Sequence, residues 1–268
     1  MTHPFFALPR PIVFGHRGAS GERPENTLIS FERALEHGAD VIETDVHLSR
    51  DGEVVVLHDA DLARTTDGAG KVSALDYRDI ARFDAGHRFT IADGAAPFRG
   101  QGVRVPRLEE AFARFPGVRF NIELKHADAR LANAVLDLTK QFGREHATLL
   151  AAEDAAAMQQ LRGAVRERAS GVALGASVAD VLGFVRAALD GAAPPLGPLA
   201  LQIPAEFLGR PLVTPELLAF AHAHGVQVHV WTVNDTAEMR RLLALGVDGI
   251  MSDFPGRLRS LVDALRGA

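Results

Sequence analysis

Glu43 and Asp45 lie two residues apart in the strand-like run "DVIETDV" (40–46), and residues at i and i+2 of a strand point to the same side. "RFNIELK" (119–125) repeats the device, with Asn121, Glu123 and Lys125 alternating against Phe120, Ile122 and Leu124. Three carboxylates gathered in a low-dielectric site repel one another, so such a cluster implies a cation or raised pKa values. Carboxylate oxygens are hard donors suited to one divalent ion, Mg²⁺ or Ca²⁺, with Mn²⁺ also compatible. The same acids on a solvated face of an antiparallel sheet would need no ion. Two histidines accompany them. His16 precedes Arg17 in "FGHRGASGERPENT" (14–27), and His58 closes "VVVLHD" (54–59). Histidine exchanges a proton near neutral pH, and the arginine fork matches phosphate oxygens.

The elements that must carry these residues read as alternating strands and helices. β-branched runs recur at 12–15, 40–46, 118–124, 147–152, 171–175, 199–203, 226–233 and 248–253. Most are followed by segments with apolar residues at helical spacing and a terminal glycine. Alternating βα units imply a parallel sheet, and eight of them suit a TIM-type (β/α)8 barrel; a doubly wound open sheet is the alternative. Asp51-Gly52 signals a hairpin, which would return His58 to the level of Asp45. Residues 59–106 break the rhythm and read as an insertion beside the mouth, a small subdomain or lid. The whole chain, 1–268, reads as one barrel domain.

"HRGASGERPENTLISFERALEHGADVIETDVHLSRDGEVVVLHD" closely resembles the glycerophosphodiester phosphodiesterase family, and "NIELK", "VWTVND" and "DGIMSD" resemble its later motifs. The resemblance implies a TIM barrel with a small insertion that hydrolyses glycerophosphodiesters to sn-glycerol 3-phosphate and an alcohol. It implies that Glu43, Asp45 and Glu123 bind a divalent ion and that His16 and His58 are the general acid/base pair. It also implies that Arg17 and Lys125 bind phosphate and that Trp231 contacts the glycerol or alcohol portion.

Plainer roles stand beside these. Trp231, expected to face inward with His229 and Val233, could be barrel core, and Lys125 could serve only to neutralise Glu123. His47 is expected to be no ligand, and His126, His222 and His224 to be solvated. Asp59 is expected to brace His58 or the turn, and Asn26 or Thr27 to cap a helix; Asp253 ends the last strand, where it could reach the mouth, but is expected rather to cap the helix entered at Pro255.

A net charge of -5 gives no reason to expect a nucleic-acid partner. The absence of cysteine excludes disulfides and thiolate metal sites. The proline-broken start lacks a signal-peptide pattern, and no run of ~18 apolar residues exists, so a cytoplasmic protein without a stable membrane anchor is expected. A small-molecule phosphodiester is the expected partner, and a homo-oligomer is compatible. A lysophospholipase D-type or cyclising enzyme acting on lysolipids would reuse the same residues. That reading needs an apolar rim, which Phe83, Phe89 and Phe98 of the insertion do not clearly form. A non-catalytic phosphate-binding protein is the third reading, and the full set of two histidines and three acids argues against it.

Overall fold

A computed structural model describes residues 3–267. Eight parallel strands form the barrel: β1 (Ile12–His16), β2 (Val41–Leu48), β4 (Arg119–Leu124), β5 (Thr148–Ala151), β6 (Ala173–Leu174), β7 (Ala200–Pro204), β10 (Gln227–Trp231) and β11 (Gly249–Ser252). They pair in the order β6-β5-β4-β2-β1-β11-β10-β7. The ring closes where Gly175 bridges Ala200 in parallel, helped by Leu199 N–H donating to Leu174 O at 2.8 Å. This is the TIM barrel, not the open sheet.

Alternation sorts the side chains into two layers. Ile12, Phe14, Val41, Leu149 and Met251 fill the barrel interior with Phe5 and Phe6 from the N-terminal turn. Val13, Ile42, Val46, Phe120, Ile122, Val228 and Val230 face the helices. Burial of these large apolar side chains is the main stabilising term, at roughly 1.5–3 kcal/mol each.

Six of the helices start where side-chain oxygens accept free N–H groups. Thr27 caps α1 (Leu28–Glu36), Asp128 caps α4 (Ala129–Gln141) and Asp154 caps α5 (Ala155–Glu167). Ser177 and Asp180 form a capping box on α6 (Val178–Asp190). Thr214 caps α7 (Pro215–Ala223), and Asp235 caps α8 (Thr236–Leu245). Helix α9 (Pro255–Arg266) has no side-chain cap.

Two features position the site. The hairpin forms as expected: β3 (Val54–Val56) pairs antiparallel with β2, and Gly52 supplies the positive φ its turn needs. Leu57 N–H then donates to Asp45 O at 3.0 Å, which fixes the level of His58. Entry to β4 is held by Arg144. Its guanidinium donates to the carbonyls of Phe115, Pro116 and Val118 and lies over the rings of Phe112 and Phe120. The insertion lies between β3 and α3 (Leu108–Arg114) and contains the short helix α2 (Tyr77–Ile80). It packs on its own small core of Leu62, Val72, Ile80, Ala85 and Val105, joined by Val55 and Leu57.

Candidate active site

Strand register brings the acids together. His16 lies opposite Glu43 across β1 and β2, and Asp45 lies opposite Glu123 across β2 and β4. One carboxylate oxygen from each of Glu43, Asp45 and Glu123 falls within 4.8 Å of the others. Glu43 and Asp45 are buried. Burial, with Asp45 alongside, pushes the Glu43 carboxyl up to about 8 against the pull of His16 and Arg17. Burial and Asp45 also raise Glu123, although Lys125 draws it down. Lys125 Nζ lies 3.0 Å from Glu123 Oε1 and 3.4 Å from Asp45 Oδ1. Arg17 Nε lies 3.3 Å from Asp45 Oδ2 without hydrogen-bond alignment. A compact set of hard oxygen donors held in a position unfavourable to their own charge fits a divalent cation.

Arg17 follows β1 at φ 52, and its backbone N–H donates to Glu43 Oε2 at 3.0 Å. Gly18 lets the turn close on α1: at φ +86 a Cβ there would sit 2.5 Å from the Ser30 carbonyl carbon. Asn26 does not cap the helix; Thr27 does. Asn26 instead donates to Asp45 Oδ2 at 2.9 Å and accepts from Thr44 Oγ1 at 2.7 Å. It thereby fixes the carboxylate from behind.

Each histidine has its own carboxylate. His16 Nδ1 lies 2.7 Å from Asp253 Oδ1, and His58 Nδ1 lies 2.6 Å from Asp59 Oδ1. This leaves both Nε2 atoms for the cavity side, where His58 Nε2 lies 3.3 Å from Lys125 Nζ and His16 Nε2 lies 3.4 Å from Thr232 Oγ1. Burial would lower the His16 pKa, but the Asp253 hydrogen bond and the Glu43 charge outweigh it and raise His16 above the ordinary histidine value. Asp253 shows the converse: burial opposes ionisation, yet His16, Ser20 and Asn234 hold its carboxyl at about 2.

Asp253 therefore does not cap α9, contrary to the sequence expectation. Ser20 Oγ and Asn234 Nδ2 both donate to its carboxylate at 2.6 Å, so it is held in the mouth as a partner of His16. Barrel closure places it there, because β11 pairs with β1 and Ser252 lies opposite Gly15. That adjacency is implied by an eight-stranded ring and was the available signal. Asp253→Asn is expected to lower kcat/KM by about tenfold or more. It also removes the support that raises the His16 pKa. If His16 acts as a base, the acid limb of the kcat/KM–pH profile moves to lower pH. An unmoved limb shows that His16 does not govern it.

Glu25 and Arg64 were also missed. Arg17 Nη1 donates to Glu25 Oε1 at 2.9 Å, and Arg64 donates to both Glu25 oxygens, at 2.8 and 2.6 Å. Arg64 also pairs with Asp59. A continuous chain of charges thus runs from His58 through Asp59, Arg64 and Glu25 to Arg17, and ties the insertion to the mouth. No motif spacing encodes it.

His47 lies behind the acids, with Nε2 2.9 Å from His58 O, and burial lowers its pKa to about 4. It is a neutral prop for the His58 loop. His126 is half-buried and lies against it with the rings tilted and their centroids 4.7 Å apart, while His222 and His224 are exposed. Trp231 is 41% exposed at the rim and is not core. His229 faces the barrel interior beside Phe14, and burial lowers its pKa to about 4. Val233 was expected on the same inward face but packs in the outer layer. Strand β10 ends at Trp231, so alternation no longer applies beyond it.

One cavity of about 510 Å³ unites these groups. His16, Arg17, Glu43, Asp45, His58, Glu123 and Lys125 line one side. Val178, Val181, Leu182 and Val185 of α6 line the other, with Phe207 and Leu212 beside a two-stranded ribbon, β8 (Glu206–Phe207) and β9 (Arg210–Pro211). An apolar rim therefore exists, but not in the insertion. There Phe89 and Phe98 pack edge-on against each other with centroids 5.5 Å apart.

A closed (β/α)8 barrel that gathers carboxylates, imidazoles and cationic side chains at the C-terminal ends of its strands has the place and composition of a barrel-enzyme active site. The chain belongs to the glycerophosphoryl diester phosphodiesterase family, whose model matches residues 16–257. It is an enzyme of that class, a phosphoric diester hydrolase. A glycerophosphodiester phosphodiesterase from Bacillus altitudinis is 33% identical over 255 residues, covering 91% of this chain and 95% of that protein. A lysophospholipase D from Rattus norvegicus is 28% identical over 277 residues, covering 92% of this chain and 85% of that protein. Among solved structures, an Oleispira antarctica phosphodiesterase in complex with the product sn-glycerol-3-phosphate is similar, with TM-score 0.74 and 26% identity. The match covers 94% of this chain and 97% of that one. Among the described residues, no helix is long and apolar enough to cross a membrane.

Proposed function

We propose that this enzyme hydrolyses glycerophosphodiesters to sn-glycerol 3-phosphate and an alcohol, with one divalent cation and two histidines. The observation that carries this reading is the pairing of each imidazole with its own carboxylate at Nδ1, one at the end of β1 and one just after β3, in one cavity with the acids. Glu43, Asp45 and Glu123 would hold the ion, Mg²⁺, Ca²⁺ or Mn²⁺. When bound, such an ion withdraws charge from the phosphoryl oxygens and makes the phosphodiester easier to attack.

The chain's own groups do the rest. Arg17 and Lys125 bind the phosphoryl oxygens and stabilise the charge that builds on them. His16, made more basic by Asp253, takes a proton from the attacking water as its oxygen bonds to phosphorus. His58, oriented by Asp59, gives a proton to the departing alkoxide through Nε2. Trp231 stands at the rim against the glycerol or alcohol portion. The test is the purified protein stripped with chelator and re-supplied with each ion in turn, assayed on a panel of glycerophosphodiesters. Undiminished turnover after stripping rejects the ion.

Arg17→Lys is expected to lower kcat/KM by roughly ten- to hundredfold, the loss of one or more charge-assisted hydrogen bonds. Lysine keeps the charge but cannot reach Glu25 and phosphate in one planar fork. Steady-state kinetics near wild type would make Arg17 peripheral.

The apolar side of the cavity favours a second substrate group, lysophospholipids, in which the glycerol carries one hydrocarbon chain. The same panel extended to lysophosphatidylcholine tests it.

A further inference from the structure

The mouth is two-sided, and its apolar side does not stop at the cavity. Val178 is 50% exposed, Leu182 57%, Phe207 56% and Leu208 86%. Phe207 and Leu182 line the cavity, so the exposed rim and the inner wall are one surface. Leu208 stands at the tip of the β8–β9 ribbon. Phe207 pairs with Arg210, so Leu208 and Gly209 are the two loop residues, at φ 51 and φ 71. Two positive φ values mark a turn that favours Asn-Gly. A leucine there is sterically disfavoured and gains nothing from burial within this chain. With Phe207 it makes the ribbon tip apolar where the ribbon meets the cavity mouth.

We propose that the β8–β9 turn and the exposed edge of α6 seat this enzyme on a lipid surface, so that a phosphodiester head group enters the cavity while its hydrocarbon chain stays on the apolar wall. The occupant is a lipid surface because of where the rim lies. A protein or a second copy seated on it would cover the mouth and exclude substrate. A lipid surface supplies substrate from the side on which it docks. Arg210, exposed beside Leu208, suits the phosphate layer of such a surface. Contact of this kind is shallow and reversible. The biological sense of the proposal rests on the lysophospholipid reading; the docking itself does not.

Vesicle flotation tests it, with phosphatidylcholine vesicles carrying lysophosphatidylcholine and the wild-type protein, Leu208→Asp and Leu208→Asn. Wild type is expected to float. Both variants are expected to bind about tenfold more weakly or worse, the loss of one apolar side chain from the contact. Asparagine suits the turn, so Leu208→Asn should melt at or above the wild-type temperature, which separates docking from folding. Turnover of water-soluble glycerophosphocholine should be unchanged in both. Wild-type protein that does not float, or variants that float equally, overturn the proposal. Leu208-dependent self-association in light scattering without flotation also overturns it, and makes the rim an interface between copies. Flotation without turnover of lysophosphatidylcholine keeps the docking and rejects only the substrate reading.

Discussion

His58→Ala is expected to lower turnover of glycerophosphocholine by roughly 10²–10⁴-fold, the usual contribution of a general acid. The same change should scarcely affect a nitrophenyl phosphodiester. Choline leaves poorly as its alkoxide and needs a proton, whereas nitrophenolate leaves as the anion. His16→Ala should slow both substrates alike, because both need the nucleophile's proton removed. The structural basis is the difference in where the two imidazoles stand. His58 Nε2 sits beside Lys125 on the hairpin side, and His16 Nε2 sits on the β1 side, 4.0 Å from Glu43 Oε2. The opposite pattern exchanges the roles. Equal losses on both substrates in both variants mean that neither imidazole protonates the leaving group.

Glu43→Gln, Asp45→Asn and Glu123→Gln should each abolish ion-dependent turnover. Loss of an outer-shell partner alone costs about 10–100-fold in metal affinity, so loss of a direct ligand should exceed that. Calorimetric titration measures it, and unchanged affinity in all three variants removes the metal assignment. Glu43→Gln carries a second signature. The Glu43 carboxyl titrates at about 8 when folded against an ordinary 4.5. Between those values the folded state holds a proton that the unfolded state has released. The Glu43 contribution to the stability of the ion-free protein therefore falls as pH rises from about 4.5 to about 8 and changes no further above that. The Gln variant lacks this decline, so at pH 9 it should melt above the ion-free wild type. Adding the ion should restore the wild type and leave the variant unmoved. A difference in melting temperature between wild type and the Gln variant that does not change with pH would contradict the raised Glu43 value.

Much of this was legible in the chain. The i, i+2 spacing of Glu43, Asp45 and of Glu123, Lys125 fixes which side of a strand they face, because strand geometry has a period of two. Asp51-Gly52 fixes the turn that brings His58 back. These are local facts, set by backbone stereochemistry within a few residues. The long N-terminal motif also announced the family that the whole-chain comparison shows. What only the tertiary structure decided depends on contacts between distant segments. Asp253 meets His16 because the ring closes, placing the last strand beside the first. Arg64 meets Glu25 because the insertion folds over the β1 loop. The apolar wall arises because the α6 stripe of Val178, Val181, Leu182 and Val185, which reads as an ordinary helix face, points partly into the cavity beside a ribbon that no motif marks. Local periodicity tells which face a residue takes; only closure of the barrel determines what that face meets.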